Sequence, residues 1–187
     1  MRRPADEARE HILAAAEKVL IEQGPLALKL AEVARAADVA NGNVLHHFGS
    51  IDGLHTALME RMTEQLVAQI MSIPDRIGDR EGQHEAVMQA LFDVFETRGA
   101  ARLAAWLELT GEWRKLTNVR EAVRAAAARR AQYGDVSVAE AEDLVLMSLV
   151  LAMGAGLFGR SLAQLIGKPA ARTRKLASEM LHWKLQS

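Results

Sequence analysis

The distribution of proline constrains this chain more than any other feature of its sequence. The four prolines are Pro4, Pro25, Pro74 and Pro169, so 94 consecutive residues between the last two contain none. Proline in a helix interior costs about 3 kcal/mol, whereas alanine, which is abundant here, is the most favourable helix residue. We therefore expect a soluble and almost entirely α-helical protein, in which Pro25, Pro74 and Pro169 separate helices.

Composition excludes several functional classes. The chain has no cysteine, which rules out disulfide scaffolds, thiolate metal sites and cysteine nucleophiles. Its six histidines have no metal-binding spacing and no nucleophile–base motif is present, so we expect no metal, no other cofactor and no enzyme. The first residues lack the apolar segment of a secretory signal. The longest uncharged apolar run, residues 144–159, is shorter than the roughly 20 residues of a membrane span, which predicts a buried core helix and a cytoplasmic protein without a membrane partner.

Hydrophobic periodicity and punctuation residues predict about nine helices. Four of their starts are predicted from capping residues: Asp6, Ser50, Asn118, and Ser137 in a capping box with Glu140. In chain order the predicted helices cover about residues 7–23, 30–36, 41–47 and 51–73, a segment around 87–95, then 101–110, 118–133, 138–166 and a last segment after Pro169.

The first three predicted helices are compact, and a tight turn containing Asp38 separates the second from the third. Two short helices joined in this way form a helix-turn-helix, which places its second helix in the major groove of DNA. Helix pairs of this kind are common, so the pattern alone is weak evidence for DNA binding.

Individual residues strengthen this interpretation, because their spacing over about residues 9–58 resembles the TetR family of bacterial transcriptional regulators. The resemblance implies an all-α homodimer with an N-terminal helix-turn-helix DNA-binding domain at residues 1–50, which reads palindromic operator DNA. It also implies a C-terminal helical ligand-binding and dimerisation domain at residues 51–187, where a small-molecule effector binds and releases the DNA, as in a repressor. The residues that carry the resemblance are Ile12-Leu13-Ala14-Ala15-Ala16, Glu22-Gln23-Gly24, Val33-Ala34-Arg35-Ala36-Ala37-Asp38-Val39, Gly42, His46-His47-Phe48, Ser50 and Leu54.

The candidate DNA-binding residues are Lys29, Asn41, Asn43, His46 and His47. Lys29 starts the second helix, where a phosphate can meet both its charge and the helix amides. Asparagine can pair with adenine through two hydrogen bonds, although residues near a helix start are also common turn and cap residues. The histidines are candidates for phosphate contacts, with the alternative that one packs against the fourth helix.

Four positions depart from the family pattern, at which the family's residues commonly touch the phosphate backbone: Ala40 replaces the usual Ser or Thr, Leu45 the usual Tyr and Ile51 the usual Lys, and the usual Thr near Lys29–Leu30 is absent. Residues 1–60 contain six lysines and arginines against nine acidic residues, a net charge of −3. Because phosphate neutralisation supplies most non-specific affinity, we expect weak DNA binding with a shallow salt dependence. The alternative function is that of a helical small-molecule-binding or interaction protein of the same fold with impaired DNA binding.

Large apolar side chains mark the candidate effector pocket, with ordinary core packing as the alternative explanation for most of them. The resemblance implies that a small apolar or amphipathic effector binds among Met62, Leu66, Met88, Phe92, Phe95, Trp106, Leu109, Trp113 and Met147.

The candidate dimer interface lies on the last two long helices. Residues 154–159 match the letters G-x-G-x-x-G, but no strand precedes them, so a dinucleotide site is rejected. We interpret the small residues as a close helix–helix contact, which by the resemblance lies between two copies of the chain. The predicted interface residues are Gly154, Gly156, Gly159, Ala163, Leu176, Met180 and Trp183.

Overall fold

The computed structural model describes residues 3–73, 80–133 and 136–186. Within these ranges the chain forms nine helices and no strand, which confirms the all-α prediction. Pro74, predicted to end the fourth helix, lies outside the described residues. The helices are α1 (Arg3–Gln23), α2 (Leu30–Ala36), α3 (Asn41–Phe48), α4 (Ile51–Met71), α5 (Arg80–Phe92), α6 (Ala100–Leu109), α7 (Thr117–Tyr133), α8 (Val138–Leu165) and α9 (Ala171–Gln186).

Four short segments are 3₁₀- or π-helical rather than α-helical. Pro25–Ala27 and Glu112–Lys115 form 3₁₀ turns in the connections before α2 and α7. A π-helical turn, Asp93–Thr97, continues α5, and a second, Ala155–Gly159, lies inside α8. Such π turns insert an extra residue into the helical ladder and shift the faces of the helix on either side.

The predicted caps of α4 and α8 are confirmed. Ser50 Oγ accepts a hydrogen bond from the amide of Gly53 at 3.0 Å, which satisfies one of the free donors at the start of α4. Ser137 and Glu140 each bond the other's backbone amide, the reciprocal arrangement of a capping box.

The other two predicted caps are wrong. Helix α1 already begins at Arg3, so Asp6 lies in its first turn, where a negative charge favours the helix dipole without capping it. Helix α7 begins at Thr117, and the side-chain amide of Asn118 instead donates to Glu60 Oε1 of α4 at 2.8 Å. The side chain of Asn118 therefore joins two helices and does not cap the start of α7.

One continuous hydrophobic core runs through both predicted domains. Ile12 and Leu20 of α1, Val44 of α3 and Leu58 of α4 are buried in the N-terminal part. Helix α4 continues into the C-terminal part, where its last turns bury Leu66 in the same core. Helix α4 packs against α1 and α3 and also against α5, α6 and α7, so it links the C-terminal helices to α3.

Helix α8 differs from the buried core helix that its composition predicted. Its length and mean hydropathy of 1.7 over 18 residues are sufficient for a membrane span by those two criteria alone. Ala152 is buried on one face, but Leu146, Val150 and Phe158 on the other are each more than half exposed. The prediction was wrong because uniform apolar composition conceals the fact that only one face of the helix is covered within the chain.

The close helix–helix contact of the small residues lies within the chain, which corrects the interpretation of Gly156, Gly159 and Ala163 as dimer residues. A Cβ atom at Gly156 would lie 2.8 Å from the carbonyl oxygen of Phe95, and one at Gly159 would lie 2.7 Å from Thr173 Oγ1 of α9. Ala163 is only 2% exposed in the single chain. These residues let α8 approach its own neighbours. Gly154 differs, since a Cβ atom there would meet nothing within 4 Å.

Candidate nucleic-acid interface

The geometry of the N-terminal helices matches the predicted helix-turn-helix. Asp38, in the turn after α2, adopts a left-handed φ of 52°, a conformation that aspartate tolerates better than most residues. The amide of Val39 then donates to the carbonyl of Ala34 at 3.0 Å, which closes the end of α2 before α3 begins. The turn therefore separates two short helices by about four residues, and α3 packs against α2, as in a helix-turn-helix.

Lys29, Asn41 and Asn43 are all exposed on this unit. Lys29 is the N-cap residue of α2 and forms no side-chain capping bond, so its charge lies beside the helix start, whose first amides have no partner within the helix. The N-cap of α3 is Ala40, which shows that the asparagines do not cap this helix. They lie in its first turn, available for contact with a ligand.

The two histidines of α3 occupy different environments. His46 is exposed, whereas His47 is half-buried and lines a recess together with Gly53 and Thr56 of α4. Their rings meet edge to face with centroids 5.4 Å apart. His46 thus remains the candidate for phosphate contact, and His47 is the one that packs against α4.

Basic side chains near α3 are largely engaged within the protein. The guanidinium of Arg35 bonds the carboxylate of Glu32 one turn earlier on α2. The guanidinium of Arg9 lies over the ring of Phe48, with its Cζ 5.3 Å from the ring centroid. Among these three residues, Lys29 therefore has the charge that is least engaged within the protein. This agrees with the low positive charge expected for the helix-turn-helix surface.

Two histidines that sequence reasoning assigned no role fix the ends of α2. His55 of α4 is 6% exposed, and its Nε2–H donates to the carbonyl of Leu28 at 2.9 Å. His11 Nε2–H of α1 donates to the carbonyl of Ala37 at the same distance. Since a carbonyl oxygen can only accept, both imidazoles carry their proton on Nε2 in these bonds. The helix-turn-helix is thereby tied to α1 on one side and to α4 on the other.

A polar network connects this unit to the C-terminal helices. Glu17 of α1 accepts hydrogen bonds from Arg61 of α4 at 2.5 Å and from Arg98, which follows α5, at 2.6 Å. Arg98 also bonds the side chain of Gln65 on α4. Burial alone would raise the pKa of Glu17, but the hydrogen bonds and charges of Arg98 and Arg61 outweigh it and hold that pKa below its usual value. Glu17 therefore remains ionised and joins three elements through one carboxylate.

The predicted pocket residues divide into a buried group and an exposed group. Leu109 is 85% exposed at the end of α6, and Trp113 is 42% exposed in the following turn, so neither joins the others. Trp106 is half-buried. The structure brings the remaining six into the common hydrophobic core: Met62, Leu66, Met88, Phe92, Phe95 and Met147.

A recess of about 390 Å³ opens at a different place from this buried group. It lies where α1, α3, α4 and the turn Glu112–Lys115 meet, and its walls are mainly polar. Thr56 Oγ1 on its wall is buried and has no partner among the described residues. The residues that line it are Arg9, His47, Phe48, Ser50, Asp52, Gly53, Thr56, Ala57, Glu60 and Lys115.

Like Thr56, His84 has a buried polar atom without a hydrogen-bond partner in the described part of the chain. It lies at the contact between α5 and α9. Its Nε2 is buried without a partner among the described residues, and its ring centroid lies 6.5 Å from that of His182. Burial, followed by the charge of His182, lowers the pKa of His84, which keeps the imidazole neutral in the folded chain near neutral pH.

The last two helices each expose large apolar side chains, which together we call the exposed stripe. On α8 its members recur every four residues apart from the small Gly154, and on α9 they include all three large residues that the sequence singled out. Soluble proteins seldom leave so many neighbouring apolar side chains uncovered unless another surface packs there. The exposed stripe consists of Leu146, Val150, Phe158 and Leu162 on α8 and Leu176, Met180 and Trp183 on α9.

Comparison with known sequences confirms the resemblance found in the N-terminal residues. Residues 12–58 match the family model described as "Bacterial regulatory proteins, tetR family". The chain is 30% identical over 95 residues to the HTH-type transcriptional activator FasR of Mycolicibacterium smegmatis, over 51% of this chain and 43% of FasR. It is 29% identical over 100 residues to the HTH-type transcriptional regulator BetI of Stenotrophomonas maltophilia, over 53% and 50% of the two chains. These alignments span about half the length of the curated relatives.

Comparison with solved structures extends over almost the whole chain. A transcriptional regulator from Rhodococcus sp. Rha1 superimposes with a TM-score of 0.70 at 22% identity, covering 95% of this chain and 96% of the other. The multidrug binding protein EbrR complexed with ethidium superimposes with a TM-score of 0.64 at 22% identity, covering 94% and 96%. At these identities the likeness shows a common fold, in which a helix-turn-helix unit precedes a larger helical region.

Proposed function

The chain carries the N-terminal helix-turn-helix segment of the TetR family of bacterial transcriptional regulators, and from this premise we propose that it binds palindromic operator DNA as a homodimer. A small apolar or amphipathic effector releases it from the DNA, so that it acts as a repressor. Residues 1–50 form the DNA-binding domain, and residues 51–187 form the effector-binding and dimerisation domain. A protein of this kind works in the cytoplasm, where its DNA is.

The observation that carries the DNA-binding proposal is the outward face of α3. Asn43 and His46 are exposed together there, Asn41 is exposed on the adjoining flank of the first turn, and Val44 on the inner side is fully buried. A helix held by its buried face and showing amides outward suits the major groove, where asparagine can recognise adenine. Lys29 at the start of α2 adds a phosphate contact at the edge of the same surface.

The exposed stripe supports the homodimer. A twofold interface places the same surface of two copies face to face, and the apolar side chains of α8 and α9 then cover one another. Two copies joined in this way present two α3 helices, which bind half-sites about one helical turn of DNA apart.

The effector proposal rests on the buried group of methionines and phenylalanines around the end of α4. Methionine is flexible and adapts to ligands of irregular shape, and EbrR, of the same fold, is named a multidrug binding protein and was solved with ethidium. An effector that enters among Met62, Met88 and Phe92 displaces α4, and the displacement changes the separation of the two α3 helices. Leu66, Phe95 and Met147 complete the wall of this site.

DNA selection tests the proposal. The full-length protein is incubated with a pool of random 25-base-pair duplexes at 50 mM salt, and bound duplexes are amplified. We expect a palindromic sequence to be enriched, and we expect Asn41→Ala to weaken binding to it by about tenfold or more through the loss of an adenine contact. Lys175→Ala, a change at an exposed lysine of α9, should leave binding unchanged. Failure to enrich any duplex with a folded dimer would refute the proposal.

The pairing of Arg35 with Glu32 favours the second candidate function, a protein of the same fold with impaired DNA binding. Binding at low salt separates the two, because a protein with impaired DNA binding should bind no duplex even when it is a folded dimer. A regulator that relies on base contacts should bind its selected duplex with few neutralised phosphates, so its affinity should fall gently with salt. A slope of logarithmic affinity against logarithmic salt concentration near −7, as for about eight phosphates, would contradict the shallow dependence expected here.

Replacing Phe158 with Glu should convert the dimer to a monomer. Phe158 is 59% exposed in the single chain, so the substitution leaves the core of the protomer intact but places a charge in the middle of the proposed interface. Sedimentation velocity at micromolar concentration checks the result. The control is Leu109→Glu, an equally drastic change at an exposed leucine of α6, after which the dimer should persist. A dimeric Phe158→Glu variant would show that the interface lies elsewhere.

A further inference from the structure

Leu45 is an exposed leucine in the centre of α3. It is 41% exposed, whereas Val44 beside it is fully buried and supplies the contact of this helix with the core. The fold therefore does not require a leucine at position 45. A large apolar side chain on the outward face of a helix-turn-helix has a direct use if a partner there presents an apolar group.

The neighbours of Leu45 on α3 leave open space and carry no lysine or arginine charge. Gly42 precedes it by three residues on the same face, and a Cβ atom at Gly42 would meet nothing within 4 Å. Asn41 precedes it by one helical turn, and α3 contains neither lysine nor arginine. A base edge can thus approach the backbone at Gly42 while it touches the side chains on either side.

We propose that Leu45 is a specificity-determining residue that contacts the C5-methyl group of a thymine in each operator half-site. This inference rests on the proposed function. The thymine methyl is the one apolar group among the base edges of the major groove, and apolar side chains recognise it. A phosphate, by contrast, offers nothing to a leucine.

The spacing of Asn41 and Leu45 predicts where this thymine lies. Four residues of helix rise by about 6 Å, and successive base pairs are about 3.4 Å apart. A helix that lies along the groove therefore brings Asn41 and Leu45 to base pairs about two steps apart. The selected half-site should contain an adenine and a thymine at about that separation.

Uracil substitution tests the contact, because uracil differs from thymine only by the absence of the methyl group. In the duplex selected by the wild-type full-length protein, each thymine is replaced by uracil in turn and the dissociation constant is measured. We expect one thymine in each half-site at which uracil weakens binding by about fourfold, the effect of one buried methyl group. Other thymines should tolerate the change.

The variant Leu45→Ala should bind the thymine and uracil duplexes equally, since it lacks the side chain that contacts the methyl. Leu109→Ala, which shortens an exposed leucine of α6, outside the helix-turn-helix, should keep the wild-type difference. An unchanged fourfold difference in Leu45→Ala, or a wild-type protein indifferent to uracil at every position, would overturn the assignment while leaving DNA binding itself established. A pool in which nothing is enriched overturns the regulator proposal and this inference together.

Discussion

Gly156→Ala is expected to lower the free energy of unfolding by about 2–3 kcal/mol, within the usual range for overpacked cores. The new methyl group would lie 2.8 Å from the carbonyl oxygen of Phe95 and 2.9 Å from the Cβ of Ala101. Neither atom belongs to a flexible side-chain end, so the backbone after α5 and the start of α6 must move. Urea denaturation followed by circular dichroism gives the change in midpoint.

The matched control is Gly154→Ala, two residues earlier in the same helix. A Cβ atom at Gly154 meets nothing within 4 Å, so alanine there should be neutral or stabilise the chain by up to about 1 kcal/mol through its better helix propensity. Equal effects of the two substitutions would contradict the close contact of Gly156 with the α5–α6 region. Persistence of the proposed dimer in Gly156→Ala at low urea would further distinguish a contact within the chain from one between copies.

Glu17→Gln is expected to cost about 2 kcal/mol, less than the ~3–5 kcal/mol typical of a broken, fully buried ion pair because the site is not entirely closed to water. The carboxylate is shared by Arg61 and Arg98. A glutamine can accept from only one of them with its oxygen, and its NH₂ group then faces the other guanidinium. Urea denaturation at pH 7 measures the loss. Glu22→Gln, which removes an exposed partner 3.9 Å from Lys18, should change stability by less than about 0.5 kcal/mol.

The same carboxylate predicts a pH dependence. The folded pKa of Glu17 lies below its usual 4.5, so its contribution is fully present above about pH 4.5 and is lost as the pH falls through the folded value. The difference in stability between the wild type and Glu17→Gln should therefore shrink on acidification below pH 4.5. A difference that stays constant to pH 3 would show that the ion pairs contribute no stability.

The sequence was sufficient to predict most of the helical framework. The position of Pro25, the capping box at Ser137 and the cap at Ser50 act within one turn of chain, so their effects can be read locally. The helix-turn-helix was predictable for the same reason, since Asp38 and the alternation of buried and exposed positions define it within about twenty residues.

Contacts between distant residues were beyond such reasoning. Nothing near His55 in the sequence indicates that it bonds Leu28, and nothing near Glu17 indicates Arg98, 81 residues later. Gly156 shows the same limitation in another form: a small residue signals a close approach but not which neighbour approaches. Uniformly apolar α8 gave no indication of which face the chain itself covers. In each case the missing information is the relative placement of helices.

The anchoring of α2 at both ends has a consequence for evolution. Because His55 and His11 hold the helix-turn-helix by backbone carbonyls, and Val44 holds α3 by its inner face, the outward residues of α3 contribute little to stability. If these residues read the operator as proposed, substitutions at Asn41, Asn43 or Leu45 would change the preferred operator at little cost in stability. Under the proposed function, such a protein could be retargeted to a new operator one side chain at a time, while the core that would bind the effector stays unchanged.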